Sequence, residues 1–261
     1  MKKLKLNKIK KKINPIFCIA GKNQCSIDYL KIVMEKIDKK QILALPNKQD
    51  TGVDDWQPSL RKFAFKNKIK IAKLNDLYKI QNLYFFSIEH DKIINVNKFS
   101  SKNLFNTHFS LLPKYRGCHT NYLQVKFCEK KSGVTLHIID KGIDTGDIID
   151  QLSYYTNIND TAYQNYFKLM KYSKKIFKKN FNKIINGNFK IRKQKLNKGK
   201  YYSRTYVNYK NEKKINFTNY SLSIHNKIRS LIFPPFQLPI VNGRIVVKSI
   251  YKNKKIILKY L

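Results

Sequence analysis

The chain has 261 residues, enough for one large domain or one of moderate size with a small appendage, and its 42% hydrophobic and 13% aromatic content supplies a sizeable core. Its formal net charge of +38, from 54 Lys plus Arg against 16 Asp plus Glu, suggests a polyanionic partner such as RNA, DNA or an anionic membrane. Only Arg61, Arg116, Arg192, Arg204, Arg229 and Arg244 carry the bidentate fork that nucleic-acid readers use, however, and the rest is Lys amid abundant Asn and Ile, as AT-biased coding would give. Charge alone therefore leaves a functional anion field and compositional drift as open alternatives.

Cys18, Cys25, Cys118 and Cys128 form no C-x-x-C pair, which fits free thiols in a reducing cytoplasm, with Cys18 a small core residue. Cys118, His119, His108 and His137 lack metal-ligand spacing, so no metal is expected. No segment approaches the ~20 apolar residues that cross a bilayer. Residues 1–12 read as a solvated lysine arm, since Asn14-Pro15 interrupts the apolar run and no cleavage site follows. A cytoplasmic protein without a membrane partner is the expectation.

In chain order, Ile13 to Ala20 reads as a buried strand ending at Gly21, and Ser26 as the cap of a helix carrying Ile27, Leu30, Ile32, Val33 and Ile37. Gln41 to Leu45 is a second strand, Pro58 to Phe65 a helix, Ile69 to Ala72 a short strand and Leu83 to Ile88 a further one. Strands alternating with helices predict right-handed βαβ units and a Rossmann-like, mostly parallel sheet covered on both faces. The first strand is not followed by G-x-G-x-x-G, so a dinucleotide is not indicated.

Leu104 to Phe109 is a strand in which Asn106 and His108, two apart, face one side. Residues 133 to 139 form an alternating strand leading into the loop Gly142-Ile143-Asp144-Thr145-Gly146-Asp147, whose glycines let a carboxylate swing back toward the imidazole. Amide, imidazole and carboxylate together point to acyl transfer. His137 reads as a hydrogen-bonded core residue or one that supports the catalytic residues from behind, not as a catalyst, and His119 and His225 carry no constellation. Beyond Thr161 the only acid is Glu212. There Ala162, Tyr166, Leu169, Met170, Ile176, Phe177, Phe181 and Ile184 form the apolar stripe of a helix with a solvated lysine face, ended by Gly187. Short β segments follow, with Asn242-Gly243 at a hairpin turn. The organisation is thus a basic arm (1–12), a catalytic domain (13–190) and a small C-terminal β-rich region (191–261).

Four motifs stand in order over some forty residues: Asn106-Thr107-His108, Ser110-Leu111-Leu112-Pro113-Lys114-Tyr115-Arg116-Gly117, Gly133-Val134-Thr135-Leu136-His137 and Asp144-Thr145-Gly146-Asp147. This set resembles the N10-formyltetrahydrofolate-dependent formyltransferases. The resemblance implies that Asn106, His108 and Asp144 are catalytic, with N10-formyltetrahydrofolate as formyl donor. It implies a folate pocket lined by Ser87, Ile88, Glu89, Asp91, Ser110, Leu111, Leu112, Pro113, Ile139 and Gly142. Ser87-Ile88-Glu89-His90-Asp91, the stretch Asp50 to Leu60 and Ile228 to Pro239 look like the branch that formylates nucleotide-linked amino-dideoxyhexoses, dTDP-4-amino-4,6-dideoxyglucose or a 3-amino relative, for surface glycans. In that branch the C-terminal β segment contributes to a homodimer.

Trp56, Lys114, Tyr115 and Arg116 are the candidate substrate contacts, with Trp56 equally readable as a packing residue. The methionyl-tRNA enzyme would account better for the lysines. It resembles Arg-Gly-Ala-Ala-Pro where this chain has Arg116-Gly117-Cys118-His119-Thr120, and it carries a longer C-terminal barrel, so the sugar branch is preferred and nucleic acid is not the expected partner. A catalytically idle, lysine-rich RNA-binding module is a further alternative, against which the intact Asn106, His108 and Asp144 speak.

Overall fold

The computed structural model describes residues 14–218 and 221–261, so the basic arm lies outside the described residues. Strand β1 (Ile16–Gly21), helix α1 (Asn23–Met34), β2 (Ile42–Pro46), α2 (Leu60–Lys66), β3 (Lys70–Ile71), α3 (Leu74–Leu77), β4 (Leu83–Ile88) and β5 (Asn103–His108) build the first half. Then come β6 (Arg116–Gly117), α4 (Thr120–Lys126), β7 (Lys131–Ile138), β8 (Ile148–Tyr155) and the long helix α5 (Ala162–Ile185). The C-terminal part holds β9 (Tyr201–Tyr202), α6 (Tyr209–Glu212), β10 (Lys214–Ile215), α7 (Leu222–Leu231), β11 (Ile240–Val241), β12 (Arg244–Lys252) and β13 (Lys255–Tyr260).

The main sheet runs β3-β2-β1-β4-β5-β7-β8. Its first five strands are parallel, while β7 and β8 are antiparallel additions, the second of which the sequence pattern did not disclose. The reason is local: β8 is an edge strand in which half-buried and exposed residues outnumber buried ones, so no apolar alternation marks it. The order reverses between β1 and β4, which opens the crevice in which sheets of this kind take ligands. Gly21 lies at that reversal, where a Cβ would fall 1.9 Å from the Ile88 carbonyl oxygen, so no larger residue fits between the two strand ends.

Ser26 is not the cap of the first helix. Its hydroxyl donates to the Asn23 carbonyl at 2.9 Å inside the first turn, and the helix starts three residues earlier at Asn23, which adopts φ 62. The predicted stripe of α5 is buried from Tyr166 to Ile184, while Lys171, Lys174, Lys175 and Lys178 are exposed. Thr161 and Gln164 close a capping box at its start. Between sheet and helices, Tyr29 stacks on Phe177 at 3.8 Å and its hydroxyl donates to Thr107 Oγ1 at 2.7 Å, tying α1 and α5 to β5 beside the candidate site.

The C-terminal sheet β10-β11-β12-β13 has Asn242-Gly243 at the predicted turn, both with positive φ. Its core is shared with the first part of the chain, because Tyr115, Tyr122 and Leu123 pack with Tyr202, Ile228, Leu231, Val241 and Val246. Buried Arg229 in α7 donates to the carbonyls of Asp160 (2.6 Å) and Val125 (3.1 Å), joining α7 to α4 and to the start of α5.

Candidate active site

Strand register builds the site. Parallel pairing of β4 with β5 sets Ser87 beside Asn106, and antiparallel pairing of β5 with β7 sets Asn106 beside His137. The two-residue period turns Asn106 and His108 to the same face as Leu104, leaving Phe105 and Thr107 for the face under α1 and α5. After β7 the chain reverses through Asp144, a non-glycine residue at φ 54, and the tight packing of Gly146, whose Cβ would meet the Ile138 carbonyl at 1.9 Å, holds the turn against the strand end.

Asp144 is the hub. Its Oδ2 lies 3.3 Å from His108 Nδ1 and accepts from the Gly117 backbone N–H at 2.8 Å. Its Oδ1 accepts from Asn106 Nδ2 at 3.3 Å and stands 3.5 Å from His137 Nε2. Burial pushes the carboxyl up, but the imidazoles of His108 and His137 and the Gly117 N–H outweigh it and hold Asp144 below the usual carboxylate range. On the far side of the ring, His108 Nε2 donates to the Tyr115 carbonyl at 2.7 Å. Both ring nitrogens thus face oxygen acceptors.

His137 belongs to this constellation as a buried, hydrogen-bonded residue beside Asn106 and Asp144. It is buried, its Nδ1–H donates to the Ile138 carbonyl at 2.8 Å, and its Nε2 lies 3.1 Å from Asn106 Nδ2. The signal available in the sequence was the motif Gly133 to His137, whose last residue points to the same face as Thr135. Gln194 was missed: its Nε2 donates to the carbonyls of Asp144 (3.0 Å) and Gly146 (2.7 Å) from a segment with no recognisable motif.

The remaining candidates divide into two groups. Ile139 and Ser87 flank β5, the former through its N–H to the Leu104 carbonyl at 2.8 Å, and the Leu112 N–H is held by Thr135 Oγ1 at 3.0 Å. Ser110 donates to the Lys114 carbonyl, fixing the loop that contains Leu111 and Pro113, while Gly142 packs closely on Thr145. Past Ile88, the Glu89 carboxylate accepts from Tyr166 at 2.6 Å, and Asp91 accepts from the Lys48 N–H at 2.9 Å. By contrast, the side chains of Lys114 and Tyr115 turn to Glu129, at 3.1 and 2.8 Å, and Arg116 Nη2 reaches the Gly199 carbonyl at 3.4 Å. Of these three only the Tyr115 backbone touches the His108 ring.

Trp56 is half-buried, within 5.8 Å of Tyr166, 5.6 Å of Phe233 and 5.2 Å of Phe236 between ring centroids. Its loop is folded around Asp50, whose carboxylate accepts from the Gly52 and Arg61 N–H groups and from the Ser59 hydroxyl. Among the described residues no group of three or more His, Cys, Asp or Glu gathers as a metal-ion site.

A mostly parallel sheet with a ligand crevice and an amide–imidazole–carboxylate cluster at its strand ends points to a group-transfer enzyme. Residues 91–180 match the formyl transferase family. WlaRD, a sugar 3-N-formyltransferase solved with dTDP and 5-N-formyltetrahydrofolate, is 43% identical with a TM-score of 0.91 over 95% of this chain and 98% of its own. The N-formyltransferase of Helicobacter canadensis, in complex with folinic acid and dTDP-3-aminofucose, is 44% identical with a TM-score of 0.88, covering 92% of this chain and 89% of its own. The methionyl-tRNA formyltransferase of Mesoplasma florum is 28% identical over 84% of this chain and 72% of its own length. The chain belongs to the formyltransferase family and is a formyl-transferring enzyme.

Proposed function

We propose that this enzyme moves the formyl group of N10-formyltetrahydrofolate to the amine of a dTDP-linked amino-dideoxyhexose. The observation that carries the reading is identity above 40% along nearly the whole chain with two N-formyltransferases solved with dTDP or a dTDP-sugar, against 27 to 33% with methionyl-tRNA formyltransferases. Both of those relatives are described with 3-amino or 3-N chemistry, so a 3-amino sugar takes precedence over dTDP-4-amino-4,6-dideoxyglucose. The folate pocket of this reading runs along the strand ends from Ser87 to Asp91 and includes Ser110 to Pro113, Ile139 and Gly142. Trp56, with Tyr166 and Phe236 around it, offers a flat aromatic surface to the thymine base.

The chemistry follows from the cluster. The sugar amine attacks the formyl carbon, and the formyl oxygen becomes an oxyanion toward which Asn106 turns one of the two side-chain N–H groups that otherwise face Asp144 and His137, a contact whose loss costs on the order of 10² to 10³ in rate in comparable sites. With its ring proton on Nδ1 toward Asp144, His108 takes the proton of the new ammonium on Nε2, which exchanges its contact with the Tyr115 carbonyl for the amine, and passes one to the departing folate nitrogen. Asp144 and the Tyr115 carbonyl bracket the ring and stabilise it while it carries that proton. No covalent enzyme intermediate is formed, so half-exposed Cys118 has no part.

The proposal includes a cytoplasmic location and a homodimer formed through the C-terminal sheet, where Ile245 of β12 and Ile257 of the edge strand β13 are exposed. Incubating the protein with N10-formyltetrahydrofolate and a panel of dTDP-3-amino and dTDP-4-amino sugars, alongside methionyl-tRNA, tests the substrate. Formylation of a 3-amino sugar is expected; formylated methionyl-tRNA with untouched sugars would overturn the reading.

A further inference from the structure

We propose that Gln194 is a positioning residue for formyl transfer, a donor that holds the turn carrying Asp144 in its catalytic shape. The proposal rests on Asp144 acting in formyl transfer as argued above. Asp144 occupies the left-handed region at φ 54, a conformation that is strained for a non-glycine residue and persists only where its surroundings over-determine it. The carboxylate contacts to His108 and Gly117 depend on that backbone, so something must pin it.

Gln194 supplies the pin. Its Nε2 donates to the Asp144 carbonyl at 3.0 Å and to the Gly146 carbonyl at 2.7 Å, spanning the turn from a position 48 to 50 residues away in the chain. Two carbonyls can only accept, so the amide has one orientation, with both Nε2 hydrogens engaged. The same orientation leaves Gln194 Oε1 buried and without a hydrogen-bond partner among the described residues. Leaving a buried acceptor unpaired costs free energy, and an apolar residue would avoid it. The donor side of this amide therefore accounts for a glutamine here.

How Gln194 arrives is also determined. Ile148 in β8 and Arg192 exchange a pair of backbone hydrogen bonds, both 2.8 Å, which fixes the segment after α5 against the sheet edge two residues before Gln194. Arg192 in turn donates to Gln151 Oε1 at 2.6 Å, and Gln151 Nε2 donates to the Leu112 carbonyl at 2.9 Å. One short strap thus reaches both the Asp144 turn and the loop containing Leu111 to Pro113, and Gln194 is the arm on the turn.

Gln194→Ala and the isosteric Gln194→Glu test the role. In Gln194→Ala, kcat is expected to fall ten- to a hundredfold while KM for both substrates stays within threefold and the thermal midpoint within a few degrees. In Gln194→Glu the ionised carboxylate faces two carbonyls with no donor, so kcat at pH 8 falls at least as far. As pH drops toward 5 a growing protonated fraction regains one O–H donor, so activity relative to wild type recovers severalfold, a pH dependence that loss of packing alone would not produce. Wild-type kcat in either variant, or a loss confined to KM, would overturn the proposal. A crystal structure of Gln194→Ala reads the turn independently of substrate: Asp144 Oδ2 beyond hydrogen-bond reach of His108 supports the role, and an unmoved turn refutes it. Absence of wild-type turnover on the sugar panel would instead count against the substrate reading and leave that structural test intact.

Discussion

At the scale of single residues, function depends on where acceptors are placed around an imidazole. His108 lies between Asp144 Oδ2 and the Tyr115 carbonyl, so replacing it removes the proposed proton carrier without opening a large hole. His108→Asn is expected to lower kcat by about 10² to 10⁴, the range for a general acid–base group, with KM for the nucleotide sugar changed only a few-fold in steady-state kinetics. A second histidine gives a pH signature of stability. His90 has a side chain only 2% exposed, its Nδ1 lies 2.9 Å from Asn47 Oδ1, and burial pulls its pKa down to about 4 from an ordinary 6.5. Between those two pH values the unfolded chain binds a proton that the folded chain refuses, so stability falls as pH drops from 6.5 toward 4. His90→Gln is expected to remove roughly 2 to 3 kcal/mol of that acid destabilisation, seen as a flatter plot of thermal midpoint against pH. An unchanged slope would assign the acid sensitivity to other groups.

At the scale of elements, helix α5 is both the cover of the sheet and the lever that brings Tyr166 to Glu89 and Trp56. Its start is fixed by the reciprocal box in which Thr161 Oγ1 accepts from the Gln164 N–H and Gln164 Oε1 accepts from the Thr161 N–H, at 3.2 and 2.9 Å. Thr161→Ala removes one half of it and is expected to cost about 1 kcal/mol in urea or thermal unfolding. No change in stability would show that packing of the first turn alone sets the helix start. The loop that presents Trp56 is organised the other way, by one carboxylate, Asp50, gathering donors from Gly52, Ser59 and Arg61.

For the whole molecule, the excess of lysine bears on stability. A net charge of +38 on 261 residues repels itself in the compact state. Salt shortens the screening length from about 10 Å at 0.1 M to about 3 Å at 1 M, so the thermal midpoint is expected to rise by several degrees across that range of NaCl. A flat or falling midpoint would show that the lysines are already compensated locally. No helix among the described residues is long and apolar enough to cross a membrane.

The sequence by itself determined the chemistry. Asn106 and His108 share a strand face because the side-chain period is two, Asp144 lies in a glycine-framed turn, and four local motifs carry the family resemblance; each of these is readable within a few residues. Alternating strands and helices likewise disclosed the parallel half of the sheet, and the stripe of α5 its buried face. Only the tertiary structure decided what depends on pairing between distant segments. It extended the sheet by β8, began α1 at Asn23 instead of behind Ser26, turned Lys114 and Tyr115 toward Glu129, and drew His137 and Gln194 onto Asp144 and its turn. The physical reason is range. Periodicity and turn chemistry act over a few neighbours, whereas a hydrogen bond across 50 positions, like that from Gln194 to the Asp144 carbonyl, leaves no local pattern until strand register and packing have closed the distance.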